Sequence, residues 1–396
     1  MKNSSIKMDG DWVLVSLGGR ITAADLGDLK ALSAEASGKW PDREWILECS
    51  NLRYISSGGL RWVLALRQSI SGTIRIIGVQ KEVMSVFKMT GIDKLFTIEE
   101  GMRRISIKGC DLIGRGANGE IYRLKDETIV KVFFSEENLK TAENEDRVSH
   151  EVFKTGLPVV IPYETVEVGD GRYGIILETL GSKTLSETIE DDPDHFDEWI
   201  TKYVNLYRMV HEKDGSGHGL PSAKDVYRTH LIESADWYSK EELDQLMRLL
   251  ESIPDRNTMI HGDFHPNNIM VNDGELIMID LGDFSIGHPV FDFLATAATQ
   301  ANLVDLSPEY AEFHTKMKAE RIRKGWAALL DQYFPDRTPQ DRSRIDRQIR
   351  LLSRLKVACA PAVAKGIPEE LMKNSIDDVK QNLIPHIDEL LGTIDW

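Results

Sequence analysis

The stretch MIHGDFHPNNIMVNDGELIMIDLGDFSIGHPVFDFLA, residues 259–295, decides the reading of this chain. Asp263 and Asn268 stand five apart on one loop, and Asp280 follows a short apolar strand, LIMI. Gly262 and Pro266 oppose a helix between them, so the loop and a hairpin bring these polar groups to strand ends. Three demands of phosphoryl transfer are met there. A carboxylate must orient an attacking hydroxyl and accept its proton, which suits Asp263. Hard oxygen ligands must hold Mg²⁺ against phosphates, which suits Asn268 and Asp280. The groups must also converge from rigid supports, as the ends of short strands allow. His261 and His265 are four apart and imitate a helical zinc pair, but without a helix or further ligands they read as loop braces. Asp283 reads as a supporting or surface acid, and Asp292, beside the apolar run FDFLA, as an anchor for the loop from behind.

Upstream, CDLIGRGANGEIYRLKDETIVKVFF (110–134) holds a GxGxxG pattern at Gly114, Gly116 and Gly119. A dinucleotide site needs a helix directly after its glycines. Here a strand-like run, a charged turn and a second strand-like run, IVKVFF, follow instead. A glycine hairpin followed by a strand with a central lysine places Lys131 to hold nucleotide phosphates. Lys131 needs a carboxylate partner, and the helical stretch TAENEDRVSHEVF offers Glu143, Glu145 and Glu151. Glu145 is the choice and Glu143 the alternative. GRYGIILETLGS (171–182) then reads as a buried strand leaving into a turn, with backbone groups near Glu178 and Leu180 set to meet an adenine edge.

The elements HGDFHPNN, IDLGD and PVFDFLA, in order after the glycine hairpin and its lysine, resemble the aminoglycoside phosphotransferase and choline kinase group. The resemblance spans most of residues 110–300. It implies a two-lobed α+β protein-kinase-like domain with a helical C-terminal lobe. It also implies ATP as co-substrate, Mg²⁺, and transfer of a phosphoryl group to a hydroxyl. His261-Gly262-Asp263 and Asp280-Leu281-Gly282 stand where protein kinases carry His-Arg-Asp and Asp-Phe-Gly. Residues 300–396 are helical by pattern and carry no assignable motif; in the family such helices shape the acceptor pocket.

The first hundred residues differ in character. DWVLVSL, EWILEC and TIRIIGV read as strands, alternating with helical patterns at Leu26/Leu29/Leu32, Leu60/Val63/Leu64/Ile70 and Val83/Val86/Phe87, an α/β unit with helices on a sheet. In YISSGGLRWVL (54–64), Ser56 and Ser57 lie where a strand meets a helix. A serine there caps the helix, and the glycines permit the tight turn. A phosphate at the same place would meet a favourable dipole and orphan N–H groups. YISSGGLR together with VFKMTGIDKLFTI (86–98) resembles the STAS family, the anti-sigma-factor-antagonist and sulphate-transporter module. The resemblance implies a regulatory phosphoacceptor at Ser56 or Ser57 and a possible protein partner. The family's Asp-Ser-Ser/Thr-Gly-Leu is altered here: Ile55 or Ser56 stands at the Asp, and Gly58 at one hydroxyl position.

The chain has 396 residues and 41% hydrophobic content, enough for two or three packed domains of about 150 residues each. The expected domains are a STAS-like module over 1–103, a kinase-like N-lobe over 104–180 and a C-lobe over 181–396. Residues 1–108 carry a net charge of +4 and the remainder −20, consistent with two modules. So acidic a second part excludes nucleic acid as a partner. Three scattered cysteines without CxxC fit a reducing cytoplasm. The absence of a long apolar run argues against membrane insertion. Three functions fit these readings. The leading one is phosphoryl transfer from ATP to a small-molecule hydroxyl, with the STAS module regulating the enzyme or binding a partner. The alternatives are a Ser/Thr protein kinase acting on a STAS serine, its own or a partner's, and a non-catalytic nucleotide-binding scaffold.

Overall fold

The structure is a computed structural model that describes residues 4–116, 118–124, 127–134, 138–181, 183–363, 368–394 and 396. The chain divides into two compact units, one running up to Lys108 together with Thr165–Tyr173, the other taking Gly109–Glu164 and Gly174–Trp396.

In the first unit, strands Ser4–Asp9, Trp12–Ile21, Glu44–Ile55, Ile74–Val79 and Thr97–Glu100 form one sheet in sequence order. The first pair is antiparallel and the rest are parallel. Alternate residues of Trp12–Ile21 are buried, so Val13, Val15 and Leu17 face the core with Trp45 and Leu47 from the neighbouring strand. Each such fully buried side chain contributes roughly 1.5–3 kcal/mol. Helices Leu26–Lys39, Ser57–Ser69 and Lys81–Thr90 connect the strands, matching the alternation in the sequence. The edge strand Ser4–Asp9 was not legible because its inward residues are only half-buried.

Gly58 and Gly59 act differently from expectation. Neither adopts a positive φ. A Cβ on Gly58 would lie 2.4 Å from Leu26, and one on Gly59 would lie 2.6 Å from Ile55. Gly58 therefore leaves room for Leu26 of the neighbouring helix and Gly59 for Ile55 at the strand end, and neither supplies a left-handed residue.

In the second unit, strands Asp111–Arg115, Gly119–Arg123 and Thr128–Phe133 are antiparallel neighbours in that sheet order, and residues 174–178 pair antiparallel with the last of them. Helix Asn138–Phe153 follows the strand that bears Lys131. The remainder is mainly helical around a hairpin, Ile269–Asn272 with Glu275–Met278. Its turn is tight, with φ of 51° at Asp273 and 83° at Gly274. Leu246, Leu249, Leu250, Phe291, Leu294, Leu352 and Leu355 belong to one buried cluster that holds the helices together. Among the described residues no helix is long and apolar enough to cross a membrane.

Candidate active site

The glycine hairpin closes through the Gly116 N–H donating to the Gly119 carbonyl at 3.0 Å. Gly119 has no room for a side chain, since a Cβ would stand 2.3 Å from the Val132 carbonyl oxygen, whereas Gly116 faces open space. Gly114 sits at an irregularity in the pairing, opposite Ile121.

On the next strand Lys131 is almost wholly buried. Its ammonium donates to both Glu145 carboxylate oxygens at 2.9 Å and to Asp280 Oδ1. Of the three acids offered by the helical stretch, Glu145 is the one that meets the lysine. An ammonium buried alone would shed its proton. Burial does push Lys131 that way, but Asp280 and Glu145 outweigh it and raise its pKa. Burial dominates at Glu145 and pushes its carboxyl up despite Lys131. At Asp280 the nearby Lys131 charge prevails over burial and holds the carboxyl low. Asp280 has φ 59° and ψ 61°, a left-handed conformation that a non-glycine residue adopts at a cost of about 1–3 kcal/mol.

Asn268 and Asp280 flank the two ends of the hairpin, and the Ile279 N–H donates to the Asn268 carbonyl at 2.9 Å, which fixes them side by side. Asn268 Nδ2 donates to the Asp263 carbonyl at 2.9 Å and to Asp263 Oδ2 at 3.0 Å. His265 Nε2 lies 3.3 Å from the same Oδ2. Burial alone would raise the Asp263 carboxyl, but Lys356 and His265 overrule it and keep it well below the usual carboxylate range. Asp263 is thus an ionised carboxylate held on both oxygens.

The loop is held from behind. Asp292, fully buried, accepts the His261 N–H at 3.0 Å, the Gly262 N–H at 2.7 Å and a bond from His211 Nε2 at 2.9 Å. His261 Nδ1 accepts the Asp263 N–H at 3.3 Å, so its other ring nitrogen is the donor to the Ile279 carbonyl at 3.1 Å. That neutral ring stacks on Phe264. Asp283 acts through its main chain: its carbonyl oxygen lies 2.5 Å from where a Gly262 Cβ would be, and Gly262 has φ 82°.

Glu178 ends its strand with its N–H donated to the Ile161 carbonyl at 3.1 Å and its carboxylate accepting the Ile161 N–H at 2.8 Å. Two residues on, the Leu180 N–H meets no protein acceptor among the described residues. In the first unit, Ser56 is the N-cap of Ser57–Ser69, accepting the Gly59 N–H at 3.4 Å, while Ser57 is exposed.

Two residues of this site escaped the sequence reading. His211, at the end of helix Phe196–His211, ties Asp292 to the Tyr333 hydroxyl, 2.8 Å away. Lys356 lies in the motif-free C-terminal part and donates to Asp263 Oδ1 at 3.1 Å and the Gly262 carbonyl at 2.8 Å. A lysine inside the apolar run LLSRLKVACA was the available signal, because a buried ammonium needs an acid partner.

A carboxylate beside an amide, and a buried lysine paired with two acids, are thus brought together around the hairpin Ile269–Asn272 and Glu275–Met278. The family model of the phosphotransferase enzyme family matches residues 110–329, and the chain belongs to that family. A second model, described as Mlab, STAS domain, matches residues 4–99, giving the chain an N-terminal STAS domain. Among solved structures, the streptomycin–ATP ternary complex of APH(2")-IIa is similar at 16% identity and TM-score 0.46, covering 70% of this chain and 92% of that one. An aminoglycoside-3'-phosphotransferase of type VIII is similar at 17% identity and TM-score 0.44, covering 61% and 93%. ADP-bound APH(2'')-Ib is similar at 16% identity and TM-score 0.43, covering 76% and 97%. No curated protein matches the chain.

Proposed function

We propose that this protein transfers the γ-phosphoryl group of ATP to a hydroxyl of a small molecule, with the STAS domain serving regulation or partner binding. The observation that carries this reading is the set Glu145–Lys131–Asp280 and Asn268–Asp263, drawn from strand Thr128–Phe133, helix Asn138–Phe153 and the loops that flank the hairpin Ile269–Asn272 and Glu275–Met278. Gly114, Gly116 and Gly119 would cover the phosphates, Lys131 would hold them, and the Glu178 carbonyl and Leu180 would meet the base.

The donor set suits Mg²⁺. With Nδ2 committed to Asp263 and Oδ1 of Asp280 committed to Lys131, Asn268 Oδ1 and Asp280 Oδ2 are the hard oxygens left to accept. Bound there, the ion would neutralise phosphate charge. The chain's own work is then positional. Asp263 aligns the acceptor hydroxyl and takes its proton as the acceptor oxygen bonds to the γ-phosphorus. The bond from that phosphorus to the bridging oxygen breaks, and its electron pair leaves with ADP. A carboxylate held so acidic receives the proton late, which suits a loose transition state that needs orientation more than deprotonation.

The test is ADP release from Mg·ATP across a panel of hydroxyl metabolites, with the phosphorylated product identified by mass spectrometry. Asp263→Asn should abolish transfer to the accepted compound; undiminished transfer removes Asp263 from its role. The exposed Ser57 hydroxyl at a helix N-terminus favours, as a second reading, phosphorylation of a STAS serine. Label on Ser56 or Ser57 after incubation with ATP supports it, and label confined to a metabolite excludes it.

A further inference from the structure

The family match stops at residue 329, yet Lys356, beyond it, reaches the loop that carries Asp263. Lys356 stands on the short helix Arg354–Ala358, between Leu355 and Ala358, both fully buried in the main helical cluster. Arg354 beside it is tied to Asp378 at 2.8 Å. The mount is therefore rigid, and the flexible lysine stem is anchored at both ends.

What it grips matters more. Gly262, at φ 82°, is the joint of the loop. Asp292 takes its N–H, and Lys356 takes its carbonyl oxygen. The Asp263 carboxylate is divided in the same way: Oδ2 faces Asn268 and His265, and Oδ1 faces Lys356. Among the described residues Lys356 is the sole partner of Oδ1. Without it the carboxylate is held at one oxygen only and can turn about its last torsion, which is broad for an aspartate.

We propose that Lys356 is a positioning residue for phosphoryl transfer, fixing the Gly262 peptide and the Asp263 carboxylate in the attitude that meets the acceptor hydroxyl. The proposal rests on the phosphotransferase reading above. It gives the C-terminal helices a second task beside shaping an acceptor site: they supply the ammonium that completes the catalytic loop. Misplacing a base by an ångström costs on the order of a hundredfold in rate, so the effect should fall on turnover and not on nucleotide binding.

The experiment uses the full chain with Lys356→Met and Lys356→Arg. Two readouts are taken: backbone amide hydrogen exchange over residues 261–268, and ADP release from Mg·ATP with water as acceptor. The methionine variant should exchange faster across the loop. Its kcat should fall about a hundredfold, with KM for ATP within about threefold of the parent. The arginine variant should recover part of both. Unchanged exchange in the methionine variant overturns the proposal, as does faster exchange with unchanged kcat. If the methionine variant fails to fold, the arginine variant decides. Restored loop protection and turnover support positioning, whereas a folded arginine chain with full protection and no recovered turnover overturns it. A parent chain that turns over no ATP with water or with any member of the hydroxyl panel refutes the phosphotransferase reading itself, and appears as a failure of the parent instead of a variant.

Discussion

Replacing Gly262 by alanine separates two costs that the fold combines at the catalytic loop. The first is conformational: an L-residue at φ 82° costs roughly 1–2 kcal/mol. The second is steric, because the new Cβ would lie 2.5 Å from the Asp283 carbonyl oxygen and 2.9 Å from its Cβ. Backbone cannot swing aside as a side-chain tip can, so about 1–3 kcal/mol of overpacking is added. Gly274, in the hairpin turn, supplies the control: its φ is 83° and nothing lies within 4 Å of its Cβ position. Gly274→Ala should therefore cost roughly 1–2 kcal/mol and Gly262→Ala roughly 2–5 kcal/mol. Calorimetry on the full chain reads both, at about 2–4 °C of Tm per kcal/mol for the transition of the second unit. Gly262→Ala should also cut ADP release on the order of a hundredfold by moving Asp263, while Gly274→Ala leaves it near the parent value. Equal Tm losses, or undiminished turnover in Gly262→Ala, would refute the reasoning.

Two further outcomes are expected. Asp292→Asn keeps the shape but turns one oxygen into a donor facing a backbone N–H, at a site with no exposure and three hydrogen bonds. It should destabilise the second unit by roughly 3–5 kcal/mol, and a urea midpoint within error of the parent contradicts that. His288, fully buried, has its pKa pushed down to about 4 by burial and by Arg256. The folded imidazole thus stays neutral where the unfolded one gains a proton. Its contribution is complete above the unfolded value near 6.5 and is lost as pH falls from there toward 4, on the order of 3 kcal/mol at most. Thermal unfolding at pH 7.5 and pH 5 should show a shallower pH dependence in His288→Gln, and an unchanged slope argues against it.

What could be read from the sequence was local. The loop HGDFHPNN announces itself because Gly262 and Pro266 forbid a helix while Asp263 and Asn268 keep a fixed spacing. The glycine hairpin and Lys131 lie within twenty residues of each other, so strand pairing alone brings them together. Glu145 could be favoured over Glu143 only by its distance to GLPV (156–159), because all three acids of that stretch lie on helix Asn138–Phe153. Lys356 and His211 depend on helices that meet the loop only through tertiary packing, and no spacing rule connects them to it. Gly58 and Gly59 show the complementary error. A glycine pair at a strand–helix junction looks the same in sequence whether it supplies a left-handed turn or simply leaves room for Leu26 and Ile55.

The central claim is that Lys131, Asn268 and Asp280 line a single crevice for a metal-bound nucleotide. Calorimetric titration of the full chain with a non-hydrolysable ATP analogue, with and without Mg²⁺, addresses it, with Asp280→Asn as the variant. Binding should need Mg²⁺ and weaken at least about tenfold in the variant. Absence of binding, or binding indifferent to both the ion and Asp280, would contradict the account.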